Sequence, residues 1–76
     1  MGSILTKEER ALLDASLAAE AMQPYEVVVL AKAALERGDE AEALRRLLVD
    51  VDKFFCINRP LSKLLMRKRL DLLQAA

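Results

Sequence analysis

The chain has 76 residues, no histidine and a single cysteine, Cys56, so it holds one domain spanning 1–76 and excludes both an internal disulfide and a zinc cage. Its twelve basic and twelve acidic side chains give a formal net charge of zero, yet residues 1–44 carry a net of −5 and residues 45–76 a net of +5, which gives the molecule a basic end suited to an acidic partner. Hydrophobic residues make up 54%, more than a chain this short can hide when only about 60% of its extended surface is buried, so an apolar strip covered by a second copy or a partner is expected.

Thr6 reads as an N-cap, and Glu9 three residues on completes a capping box. The first helix is predicted from Lys7 to about Met22, with Leu12, Ala15, Ala19 and Met22 on one face and Glu8 and Glu9 complementing the positive end of its dipole. Gln23-Pro24 interrupts this pattern, and Pro24 fits the first turn of a second helix running to Arg37. Val27, Val28 and Val29 would also suit a strand, but the flanking Ala31, Ala33, Ala34 and Leu35 favour helix, and no second strand exists to pair with it. Gly38 suits a left-handed C′ residue, Asp39 an N-cap, and Glu42 a second capping box.

The third helix is predicted from Glu40 to about Ile57, with an apolar stripe of Leu44, Leu47, Leu48, Val51 and Phe55. Asn58-Arg59-Pro60 ends it, and Pro60 or Ser62 opens a fourth helix running to about Gln74. Leu61, Leu65 and Leu72 share one face of this last helix, while Met66, Leu70 and Leu73 form a second arc. It therefore carries more apolar surface than one contact needs. The short connections favour antiparallel neighbours. The expected fold is all-α, a small bundle of three or four short helices and a homodimer.

The basic side chains of the last helix are the main functional candidate. They suit acidic groups on a protein or nucleic-acid phosphates; the plainer reading is a solvated helix face, with positive charge favoured near a C-terminus. Nucleic acid is the weaker of the two functional readings, because Tyr25, Phe54 and Phe55 are not interleaved with the cations as a stacking platform. A helix-turn-helix drawn across Asn58-Arg59-Pro60 would present leucines rather than base-reading side chains. Leucines beside lysines and arginines also suit a membrane surface, but the broad apolar arc and the lack of Trp make a protein groove the better destination.

Asp50 and Asp52 face different directions on a helix, and Glu36, Asp39 and Glu40 serve a turn. With no phosphate loop, nucleophile elbow or metal motif, neither an enzyme nor a cofactor is expected. Cys56, beside Val49 on a flank of the third helix, reads as a buried or half-buried structural thiol. The lone cysteine, the lack of a long uncharged apolar run and the lack of a signal-peptide pattern point to a cytoplasmic protein with no membrane span.

Two resemblances follow. Residues 27–55 resemble a tetratricopeptide-type helical hairpin: Leu30-Ala31 stands at its Leu-Gly pair, and the run from Gly38 to Ala43 resembles its turn. Asp50 replaces a small residue, Phe55 replaces the usual proline and no second repeat follows, so the likeness is a shared turn solution. In build, with its Ala/Leu/Arg-rich run from Ala41 to Leu48, the chain resembles the small phage-encoded helical inhibitors of bacterial host regulators, of the quorum-sensing anti-activator type. That resemblance implies a homodimer that binds a LuxR-type transcription activator, with a pilus-assembly ATPase as a further possible target.

The expected function is that of a non-catalytic interaction module that inhibits or adapts a larger bacterial regulatory protein. Candidate anchors are Phe54, Leu61, Leu65, Met66 and Leu70, and candidate steering residues are Arg59, Lys63, Arg67, Lys68 and Arg69. The alternative is a small dimeric nucleic-acid-binding protein that uses the same helix. A third reading has the acidic first helix of one copy meeting the basic last helix of another.

Overall fold

The computed structural model describes residues 4–23 and 25–74, with the side chains of residues 54, 73 and 74 left out. The order is α1 (Lys7–Ala18), a 3₁₀ turn (Glu20–Met22), α2 (Glu26–Glu36), α3 (Glu40–Val49), α4 (Val51–Phe54) and α5 (Arg59–Gln74). The molecule is an all-α bundle measuring 32 × 22 × 21 Å, as the sequence pattern predicts.

The capping box at α1 forms in both directions. The Glu9 N–H donates to Thr6 Oγ1 at 3.1 Å, and the Thr6 N–H donates to Glu9 Oε1 at 2.9 Å, satisfying donors that a helix start leaves orphaned. The buried face is Leu13, Ser16 and Leu17. The helix stops at Ala18, short of the predicted Met22, because Ala19 turns to an extended conformation. The Gln23 amide donates to the Leu17 and Ala19 carbonyls at 2.9 and 2.8 Å. These bonds satisfy acceptors that the helix end exposes, and the tight turn brings Met22 fully into the core. α2 begins at Glu26, after Tyr25 in an extended N-cap conformation, and not at the expected Pro24, which itself lies outside the described residues.

α2 buries Val28, Ala31, Ala34 and Leu35. It ends as predicted at Gly38, whose φ is +82°. The Gly38 N–H donates to the Leu35 carbonyl at 3.0 Å and the Asp39 N–H to the Ala34 carbonyl at 2.9 Å, the bond pair of a Schellman motif. Asp39 Oδ1 then accepts the Glu42 N–H at 3.1 Å and starts α3. The Glu42 carboxylate turns forward to Arg46 at 2.8 Å and Arg45 at 3.6 Å, so only the Asp39 half of the expected second capping box is seen. α2 and α3 form the most closely packed helix pair, the hairpin read from the sequence.

α3 ends at Val49, and the expected continuous helix to Ile57 is broken at Asp50. The Asp50 carboxylate makes no capping hydrogen bond at the break; its Oδ1 lies 3.7 Å from Lys53 Nζ. The Asp50 N–H bonds back to the Leu47 carbonyl at 3.1 Å, three residues away, which tightens the last turn. The break changes the fate of the predicted stripe. Leu44 and Leu47 are buried and Leu48 and Val51 are partly buried, but Phe55 is 52% exposed instead of lying in the core. Cys56 is exposed as well, since it lies in the turn after α4 and not on the flank of a long helix.

Asn58 opens the last helix: its Oδ1 accepts the Leu61 N–H at 3.1 Å. Pro60 sits in the first turn of α5, where a missing N–H costs little. Leu61, Leu64, Leu65 and Leu72 fill the core between α1 and α3. Ser62, also buried, donates its hydroxyl to the Asn58 carbonyl at 3.1 Å, so its burial leaves no unpaired polar atom. No helix among the described residues is long and apolar enough to cross a membrane.

Candidate protein-binding surface

The packing of α5 sorts its side chains by direction. Leu61 and Leu65, two of the expected anchors, have no exposed surface. Both lie on the inward arc and hold the bundle together, so neither can touch a partner in this fold. Met66 and Leu70, on the outward arc, are 47% and 68% exposed. The side chain of Phe54 lies outside the described residues.

The cations divide similarly. Arg59, Lys63, Arg67 and Arg69 are exposed and make no ion pair among the described residues. Lys68 is different: its ammonium lies 3.0 Å from Glu9 Oε1, with both side chains mostly covered. It fastens α5 to α1 and is not free to steer a partner. The backbone N–H of Thr6 and then the Lys68 ammonium hold the Glu9 carboxyl below the usual glutamate range. The next residue of α1, Arg10, reaches Glu40 of α3 at 2.8 Å and Asp14 at 3.1 Å. These two carboxylates, Glu40 first, raise its already high pKa. Part of the charge polarity of the sequence is thus consumed inside the chain, where acidic α1 meets basic α5.

Apolar side chains that the sequence did not single out join Met66 and Leu70 on the surface. Val49 is the most exposed of them at 84%. It borders a groove of about 520 Å³ with Leu48, Val51, Met66 and Leu72 on its apolar walls and Arg45, Asp52 and Arg69 at its edges. Met66 also borders a second, about 610 Å³ depression beside Phe55, Ser62, Lys63 and Arg67. Also bordered by Val49, a smaller hollow of about 320 Å³ reaches Leu30 and Tyr25, whose hydroxyl donates to the Lys53 carbonyl at 3.4 Å. The three depressions adjoin through shared residues, Val49 and Met66, and together form a belt. The available signal was that Val49 and Leu30 are apolar yet lie off the buried stripes of their helices.

No group of three metal-ligating side chains occurs among the described residues, and no buried side-chain nitrogen or oxygen among them lacks a hydrogen-bond partner. What the belt offers is apolar contact area beside unpaired positive charge. No known protein family, curated protein or solved structure matches this chain.

Proposed function

We propose that this chain is a non-catalytic protein-interaction module that docks on a larger bacterial regulatory protein and inhibits or adapts it. The observation that carries this reading is the belt: Val49 and Met66 border its depressions beside the exposed cations Arg67 and Arg69, and Leu70 stands exposed one turn along α5 from Met66. Large apolar side chains gathered on one surface of a small domain mark interaction sites, and charges around such a patch steer and orient the encounter. Anti-activation of a transcription regulator is the specific form of this activity that the resemblance in build supplies.

The test uses the full chain as bait in nuclease-treated bacterial lysate, beside a Val49→Ser/Leu70→Ser variant checked for helicity by circular dichroism. A protein held in fixed ratio by the wild type and released by the folded variant is the expected result, and adding the chain should then lower that protein's activity. Recovery of nucleic acid alone from untreated lysate would overturn the reading in favour of the basic helix as a nucleic-acid contact.

A further inference from the structure

The belt has a shape and a charge that select its occupant. Along α5, the depressions on either side of Met66 run from Ser62 to Leu72, a length of about 15 Å at roughly 1.5 Å rise per residue. That trough matches about three turns of a docked helix. Its walls are the helices α3 and α5 and the short α4, and there is no strand edge among the described residues to which an extended peptide could add. Among the described side chains Phe55 is the one aromatic that borders it, too little for the aromatic-lined grooves that hold polyproline segments. Helix-in-groove binding is the mode that remains.

The charges at the rim are almost all of one sign. Lys63, Arg67 and Arg69 line the trough along α5 and Arg45 stands opposite on α3, against the single carboxylate of Asp52. Arg45 is already engaged by Glu42 at 3.6 Å, whereas Lys63, Arg67 and Arg69 have no ion pair among the described residues. We infer that the trough along α5 receives an amphipathic helix of another protein, with an apolar stripe against Met66 and Val49 and acidic side chains on its flanks beside Lys63, Arg67 and Arg69. The inference rests on the interaction-module reading and adds the chemistry of the partner. Apolar contact supplies the affinity, and the flanking carboxylates fix orientation and speed the encounter.

The experiment is selection from a displayed library of helix-forming peptides about 15 residues long, panned against the full chain, with binding of the winners then measured. Enrichment of apolar residues at i, i+3 or i+4, and i+7 with flanking Asp and Glu is expected. Arg69→Glu should weaken the winners on the order of tenfold, and Met66→Glu should abolish binding while circular dichroism stays unchanged. Enrichment of basic or proline-rich peptides, or of none, overturns the proposal. So does light scattering that shows a dimer dissociated by Met66→Glu, since the trough then belongs to a second copy, and so does DNA or RNA that competes for the same face. A protein captured from lysate whose retention survives both substitutions leaves the interaction module standing and removes the trough as its site.

Discussion

The hairpin of α2 and α3 and the segment from Asp50 to Asn58 are built from similar residues and end differently. In the hairpin the apolar stripe lands inside: Val28, Ala31, Ala34, Ala43, Leu44 and Leu47 are all buried. In the following segment Phe55 and Ile57 point largely outward, as does Val49 at the very end of α3. The hairpin has a left-handed glycine, a Schellman pair and an aspartate cap at its turn, and each half finds its partner within a few residues. The later segment meets α5, whose Leu61, Leu64 and Leu65 already occupy the interior. Periodicity thus marks what could be buried, and competition for a small core decides what is.

The contrast can be broken by substitution. Leu47→Ala should remove about 2–5 kcal/mol, since a fully buried side chain leaves a cavity; urea unfolding checks this, and a loss under about 1 kcal/mol would mean the hairpin core is looser than described. Gly38→Ala should cost about 1–2 kcal/mol. An added Cβ there meets no atom within 4 Å, so the cost is that of left-handed backbone and not of a clash. Asp39→Ala and Asn58→Ala should each cost about 1 kcal/mol if both are working caps, and unequal losses in the same assay would rank the hairpin turn against the later one.

Glu9→Gln sharpens the role of α1 as the brace between the hairpin and α5. A carboxyl whose native pKa is lowered stabilises the fold above its ordinary value and loses that contribution as pH falls toward the native one. The variant should therefore melt below the wild type near pH 7, with the gap narrowing as pH falls through and below the ordinary glutamate range; a gap that stays constant would show that the Thr6 and Lys68 contacts carry no linked proton. The smallest effect is expected at Val49→Ser, within about 0.5 kcal/mol of wild type, because the side chain is already in solvent. A large loss there would place Val49 in an interface that the fold needs.

The basic cluster shows how far the candidate surface was legible. Composition and order pointed to α5, to its outward Met66 and Leu70, and to its exposed Arg59, Lys63, Arg67 and Arg69. They did not separate Lys68 from its neighbours, since its partner Glu9 lies far away in the chain. Nor did they separate Leu61 and Leu65 from Met66, because a helix with two apolar arcs does not say which arc faces inward.

The sequence by itself determined the local events. Helix identity, the caps at Thr6 and Asp39 and the left-handed turn at Gly38 depend on residues a few positions apart, and short-range hydrogen bonding and backbone sterics fix them. Only the tertiary structure decided that the third helix would break at Asp50 and that Phe55 and Cys56 would stand outside. It also decided that α1 would be clamped through Arg10 to Glu40 and through Glu9 to Lys68. Those outcomes turn on which side chains fill a limited interior and which charges the packing brings within reach, and neither is encoded in the spacing of any one segment.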